Sequence, residues 1–269
     1  MISQELRNRL IALGLYSPMI FLDYNLIHRS KRASLTKDTR FFRSLLAHDV
    51  LCYDVGANIG AKTEALLRIG ARVISFEPNP DVLSELCARC RKYPKWTLVR
   101  TAVGEEPAVA TLYSRRSHAH SSLDSMWEGE GQSTHEVPLL PLDTLIKHYG
   151  LPAYCKIDVE GWELPVLRGL SAPIPLISFE YHLTHDNIAK TIHCLDRLSV
   201  LGQSEVNFIA GENSEFQMDR WMRLEDFVAR FPGELPGAEA SHYGDIFVKR
   251  EGASLPIVES DDERGGDQT

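Results

Sequence analysis

Two acidic residues, Asp54 and Glu77, bracket a stretch that can hold a small charged ligand. Asp54 opens Asp54-Val55-Gly56-Ala57-Asn58-Ile59-Gly60, at the end of an apolar run that begins at Val50. Gly56 and Gly60 remove side chains where a backbone must turn sharply and approach a ligand. A helix starting there points free N–H groups into the crevice, where an anionic ligand group is held. Glu77 ends a second apolar run, Val73 to Phe76, twenty-three residues after Asp54. A carboxylate at that spacing suits a ribose diol. A dinucleotide needs glycine where Asn58 stands, because the pyrophosphate occupies that room. Asp54 would also repel phosphate and attract an ammonium. The pattern favours an adenosine cofactor with an amino-acid tail and no phosphate, S-adenosylmethionine, over a nicotinamide dinucleotide.

A second informative stretch is Tyr154-Cys155-Lys156-Ile157-Asp158-Val159-Glu160-Gly161-Trp162-Glu163. A strand is expected to end at about Asp158 and a helix to begin near Trp162, with Pro165 tolerated in its first turn. Alternation places Lys156 and Asp158 on one face. The next apolar run, Pro175 to Tyr181, delivers Glu180 and His182 to its end. Group transfer from such a cofactor needs alignment, exclusion of water and, for a protonated acceptor, a base. Asp158, Glu160 and His182 are the candidate bases; His182 has a suitable ordinary pKa. Glu160 has a second reading, as acceptor for the N–H groups of the following helix. Glu180, His182, His185 and Asp186 have the mixed ligands of a divalent-metal site, although no metal is required by the pattern.

The elements that must position these residues alternate between strand and helix. Val50–Val55, Val73–Phe76 and Trp96–Val99 read as strands, the third continuing through Thr101-Ala102-Val103-Gly104. Ala102 and Val103 are small enough to lie flat against an adenine. Helices are expected around Ala65–Ile69, from Asp81 to about Lys92, over Asp143–Tyr149 and through Ile188–Leu198. Residues 109–113 alternate weakly and suit an extra strand. Residues 114–136 read as a polar loop, with Ser121-Ser122-Leu123 a candidate contact and His118, His120 and His135 exposed. Val206–Ala210 and Asp245–Lys249 read as the last strands. Such a chain folds as a doubly wound, mostly parallel α/β sheet of seven strands, binding ligands at the carboxyl ends of strands. Asp54, Glu77, Ala102, Asp158 and His182 all fall at expected strand ends.

Composition agrees with one such domain in 269 residues, 43% hydrophobic and 25% charged. The formal net charge of −8 argues against wholesale nucleic-acid binding. Residues 1–49 form a basic, helical extension with Phe41, Phe42, Leu45 and Leu46 on one stripe. Residues 50–250 form the ligand-binding domain, and the acidic tail 251–269 is expected to be disordered. The apolar run Leu10–Leu22 follows Arg7 and Arg9 like a signal peptide, but Gly14, Ser17 and Pro18 interrupt it and no cleavage site is clear. No transmembrane segment is expected, and the protein is read as cytoplasmic. Five cysteines, mostly in apolar segments, read as buried thiols rather than disulfides or a zinc site.

Three motifs together resemble the FkbM-type family of class I, Rossmann-like S-adenosylmethionine-dependent methyltransferases. They are Asp54–Gly60, Val73–Pro78 with its Phe76-Glu77-Pro78, and Lys156–Gly161 with Glu163. The resemblance covers roughly residues 50–250 and implies O-methylation of a hydroxyl on a sugar, glycan or natural-product acceptor. It implies that Asp54 and the loop residues Gly56, Ala57, Asn58 and Gly60 hold the methionine part of the cofactor. It places Glu77 on the ribose and Ala102 and Val103 beside the adenine; Asp158, at its strand end, is expected near the sulfonium. A non-catalytic interaction protein with a methyltransferase-like core and an NAD(P)-dependent oxidoreductase are the competing readings.

Overall fold

The computed structural model describes residues 32–114, 121–123, 133–233 and 241–252. Leu10–Leu22, His118, His120 and most of the acidic tail lie outside these residues. Helix α1 spans residues 32–45. The next strands in the chain are β1 (Leu51–Val55), β2 (Arg72–Phe76), β3 (Trp96–Val99), β4 (Ala102–Val103), β5 (Ala108–Ser114) and β6 (Ser121–Ser122). After them come β7 (Ser133–Leu140), β8 (Tyr154–Ile157), β9 (Leu176–His182), β10 (Ser204–Ala210), β11 (Met222–Arg223) and β12 (Tyr243–Arg250). The remaining helices are α2 (Ala61–Arg68), α3 (Leu83–Cys90), α4 (Leu142–Tyr149), α5 (Glu163–Arg168), α6 (His185–Ser199) and α7 (Leu224–Arg230).

The main sheet has the order β11-β10-β12-β9-β8-β1-β2-β3. Strands β3, β2, β1, β8 and β9 run parallel, and β12 is antiparallel to both β9 and β10. Seven of the eight strands match the expected count. The eighth, β11, is a two-residue edge strand antiparallel to β10, too short to carry an alternation signal. The sheet is therefore mixed and eight-stranded rather than seven-stranded.

Alternation sorts the core into two layers. Cys52, Val73, Tyr154, Leu176 and Phe247 face α1, α2 and α3. Tyr53, Val55, Phe76, Ile157 and Phe179 face α4 to α7. All five residues of β1 are buried, as a strand covered on both faces requires. Helix α1 belongs to the first layer. Phe41 lies 5.4 Å from Phe247 and 5.1 Å from Phe216, and Phe42 lies 5.6 Å from Tyr154, ring centre to ring centre. Each such ring buried is worth about 1.5–3 kcal/mol, which holds α1 across the sheet end.

A second sheet, β4-β7-β5-β6, departs from the sequence expectation. The third strand does not run on into Ala102. Thr101 donates its amide to Val99 and its hydroxyl to Pro138, and the chain turns away, so Ala102 and Val103 pair with Leu139 and Leu140 of β7. The stretch read as a loop to residue 136 is strand from Ser133 onward. Its polar residues alternate with Val137 and Leu139, which bury against Leu112 and Ala102. Four of the described cysteines are buried and all five are free, as expected.

Candidate functional site

The order of the main sheet switches at β1, which pairs with β2 on one side and β8 on the other. Crevices form at such switches, beyond the carboxyl ends of the strands. The loop after β1 is tied down there by the amides of Gly56 and Ala57, which donate to Phe76 at 3.0 and 3.2 Å. Gly56, Asn58 and Gly60 all have positive φ, at 78°, 49° and 80°. At Gly56 a Cβ would sit 1.8 Å from the carbonyl oxygen of Asp158, so only glycine fits. Glu77, at the tip of β2, reaches back to this loop. Its Oε2 accepts the Asn58 amide at 2.6 Å and its Oε1 accepts the Asn79 amide at 2.8 Å. Burial pushes its carboxyl up to about 7 against those two donors. Two carboxylate oxygens offer about four acceptor sites, so the outer pair stays available.

A cleft enclosing about 660 Å³, solvent mouth included, opens at this point. Gly56, Asn58 and Glu77 form one wall, Ala102 and Val103 another, and Asp158 and Glu160 its end. Leu112 of the small sheet and Leu123 just past β6, with Trp162, close its apolar side. Ser122 pins the sheet in place by donating its hydroxyl to the backbone oxygen of Glu160 at 2.8 Å. Ala57 and Gly60 are part of the loop but do not line the cleft, and neither does Asp54. Gly60 turns the chain into α2, where a Cβ would meet Leu86 at 2.5 Å.

Asp54 points instead into a buried charge network that sequence reading passed over. Its Oδ2 accepts the Thr63 hydroxyl at 2.5 Å. Its Oδ1 lies 3.9 Å from Lys156 Nζ, with no hydrogen-bond partner among the described residues. Thr63 spends its proton on Asp54, so Ser75 donates to Thr63 at 2.8 Å, and Trp96 donates its indole N–H to Ser75 at 3.0 Å. Lys156, 4% exposed, donates to Asp158 Oδ2 at 2.8 Å. Burial raises Asp54, with Lys156 and Thr63 opposing. Burial also works against the charge of Lys156, but Asp158 and Asp54 outweigh it and the ammonium is raised. The available signal was a lysine within an otherwise apolar strand, two residues from an aspartate.

The loop Asp158–Trp162 divides two acids differently from the sequence expectation. Glu163, not Glu160, takes the orphan amides: its Oε1 accepts Val159 and Gly161 at 3.2 and 3.1 Å. Glu160, at φ 54°, is pushed up to about 9 by burial, with Asp158, Glu180 and Glu163 adding to it. At neutral pH it holds its proton and acts as a donor rather than a base. Carboxylate oxygens of Asp158, Glu160 and Glu180 lie within 4.8 Å of one another, close enough to hold a metal ion. The expected set was different. Glu180 and His182 do share a face of β9, with His182 Nε2 3.2 Å from Glu180 Oε2. Asp186 is exposed in the first turn of α6, and the His185 side chain lies outside the described residues. Glu180 beside it raises His182 against partial burial. His182 lines a neighbouring cavity with Glu160, Glu163 and Lys190, not the main cleft. Of the five expected strand-end residues, Glu77, Ala102 and Asp158 meet on one cleft, Asp54 stands behind it and His182 beside it.

Glu77, Glu160 and Glu163 all bind a proton more tightly folded than unfolded, with Glu163 pushed by burial to about 7. Between pH 4.5 and these values the folded chain holds more protons, so stability falls as pH rises, by up to about 1.4 kcal/mol per pH unit per group. The raised His182 acts in the same sense: its contribution is present below about 6.5 and is lost as pH rises through its folded value. The protein is expected to melt at a higher temperature at pH 6 than at pH 8, and Glu160→Gln to flatten that slope. Thermal scans in buffers of matched ionic strength measure it; equal melting temperatures would refute the burial argument.

The family described as the methyltransferase FkbM domain matches residues 54–228, about two thirds of the chain. Over 133 residues the chain is 28% identical to the hexuronic acid methyltransferase AglP of Haloferax volcanii, a match covering 49% of this chain and 54% of that protein. The chain thus spans about half the length of that curated relative. Among solved structures it is similar to precorrin-6y C5,15-methyltransferase of Geobacter metallireducens, at 14% identity and TM-score 0.41, covering 82% of this chain and 86% of that one. A TehB-like SAM-dependent methyltransferase of Corynebacterium glutamicum gives 9% identity and TM-score 0.42, covering 87% and 100%.

Proposed function

This chain belongs to the FkbM methyltransferase family, and from that premise we propose that it moves a methyl group from S-adenosylmethionine to a hydroxyl of a sugar, glycan or related natural product. The observation that carries the reading is Glu77, a carboxylate held by two loop amides on the wall of a cleft at the switch in strand order. The ribose diol would donate to its remaining lone pairs, the adenine would lie against Ala102 and Val103, and the methionine end would run past Gly56 and Asn58 toward Asp158. Asp54 would act from behind, through Lys156. Residues 50–250 would carry the transfer, with α1 walling the acceptor side. The sugar-directed activity named for the Haloferax volcanii relative supports the acceptor class.

In the transfer itself the sulfur–carbon bond breaks with its electrons left on sulfur, an oxygen–carbon bond forms, and the hydroxyl proton leaves. An in-line displacement asks mainly for alignment and dryness, which the apolar wall of Leu112, Leu123 and Trp162 would supply. Asp158 is the carboxylate shared by this cleft and the one beyond it, and would take the proton. Glu160 would donate a hydrogen bond, and His182 would steady Glu180 from its side. A divalent metal on Asp158, Glu160 and Glu180 would instead lower the pKa of the acceptor hydroxyl itself.

Calorimetric titration with S-adenosylmethionine, in parallel with NADH and with and without magnesium, tests the reading. S-adenosylmethionine alone is expected to bind. Glu77→Gln replaces a charged acceptor by one that turns an NH₂ toward a loop amide, and is expected to weaken that binding about 10- to 100-fold. Binding of NADH instead, or an unchanged affinity in Glu77→Gln, would overturn it.

A further inference from the structure

On the far side of Asp158 lies another cleft of about 770 Å³, mouth included. Its walls are α1 through Ser34 and Asp38, the start of α2 through Lys62, and the strand ends of β9, β10 and β12. Five acids and two lysines line it, and both lysines are already neutralised. Lys62 pairs with the buried Asp38 at 2.8 Å, an aspartate that also accepts the Ser214 hydroxyl at 2.7 Å. Lys156 pairs with Asp158. Glu180 has only His182 beside it, at 3.2 Å, and Glu212 and Asp245 are left; among the described residues none of the three has a lysine or arginine partner.

Two of these three stand in an arrangement that costs stability. Asp245 of β12 and Glu180 of β9 are directly opposite in the antiparallel register, so two carboxylates face each other on one side of the sheet. Like charges placed so repel, unless something positive lies between them. Burial, with Asp158 and Glu180 adding and Lys156 opposing, pushes Asp245 up to about 6. Two residues along β12, on the same face, Tyr243 is 39% exposed and stacks on His182 at 6.1 Å and 28°, presenting a flat ring at the rim. A flat apolar face beside several acceptors suits a sugar ring, whose hydroxyls donate and whose C–H face packs on an aromatic.

Resting on the reading of the first cleft as the cofactor site, we infer that this second cleft receives the methyl acceptor, and that the acceptor is a polyol carrying a protonated amine, of the amino-sugar class. The amine sits between Asp245 and Glu180, with Glu212 at the mouth. The ring lies along Tyr243, and a hydroxyl reaches Asp158 at the junction with the donor. A carboxylated sugar placed there meets three acids and, among the described residues, no unpaired lysine. The chain therefore differs in acceptor charge from a methyltransferase that acts on a hexuronic acid.

The test uses the full chain saturated with S-adenosylhomocysteine and three probes: methyl glucosaminide, methyl glucoside and methyl glucuronide. Failure of S-adenosylhomocysteine itself to bind would overturn the cofactor reading, a failure distinct from any ranking of the probes. The glucosaminide is expected to bind about tenfold or more tighter than the glucuronide, with the glucoside between. Asp245→Asn, and the exposed Glu212→Gln that spares the fold, should each narrow that gap. The inference falls if the glucuronide binds as tightly as the amine, if no probe binds, or if both variants keep the gap. It falls also if magnesium alone displaces the glucosaminide, which would make the cleft a metal site.

Discussion

Gly56→Ala is expected to cost about 2–5 kcal/mol of stability and to abolish cofactor binding in whatever protein still folds. The new methyl would lie 1.8 Å from the Asp158 carbonyl oxygen, and neither backbone has room to yield. The Gly56 amide is held by Phe76, and the Asp158 amide is held by Val55 at 3.0 Å. Relief therefore means pulling β1 and β8 apart at their carboxyl ends, where the loop and Asp158 face the same cleft. A positive φ of 78° adds about 1–2 kcal/mol for any residue with a side chain. Gly252→Ala is the control: its φ is 73°, and nothing lies within 4 Å of an added Cβ. Urea unfolding and S-adenosylmethionine titration of both variants separate collision from conformation. Equal losses in the two would leave the close approach without consequence.

That approach explains why the loop was readable. Two glycines after an apolar run are a local signal, since each answers a backbone requirement within a few residues. Glu77 was readable for a similar reason, as the first charge after a buried strand. The small sheet was not. Ala102 and Val103 look like a continuation of Trp96–Val99, but the Thr101 hydroxyl reaches Pro138, 37 residues away, and the chain turns aside to pair with β7. Helix α7 and strand β11 were missed in the same way. Leu224 and Phe227 bury against β10 and α6, partners distant in sequence.

The acids show the limit more sharply. Glu160 and Glu163 are equally plausible caps by spacing. Glu160 stands at a positive φ in the turn itself, and it is Glu163 that accepts the amides. Convergence on a rim was legible, but division of that rim into a cleft for Glu77 and Asp158 and a neighbouring cavity for His182 depends on where β9 sits beside β8. Sequence spacing also grouped Glu180 with His185 and Asp186, whereas the fold sets it beside Asp158 and Glu160, from another strand end.

Lys156→Met is expected to be the most damaging substitution that leaves every backbone contact in place. A methionine fills much the same space within β8, so the loss is one of charge. Asp54 would keep Thr63 as its only donor among the described residues, and Asp158 would lose the ammonium 2.8 Å away. Removing one partner of a buried pair costs about 3–5 kcal/mol, because the remaining charge stays desolvated. The pH dependence identifies the cause. Without the lysine, Asp54, already raised by burial, binds its proton still more tightly in the folded state than in the unfolded one. The variant's deficit should therefore be small near pH 4 and grow as pH rises toward 8. Asp54→Asn placed on top of Lys156→Met removes one stranded carboxylate and should restore part of the loss, a coupling that two independent structural defects would not show. Chemical denaturation of Lys156→Met, Asp54→Asn and the double variant at pH 5 and pH 8 decides it. A deficit that is the same at both pH values would mean that Lys156 serves as packing, and the charge behind the cleft would need another explanation.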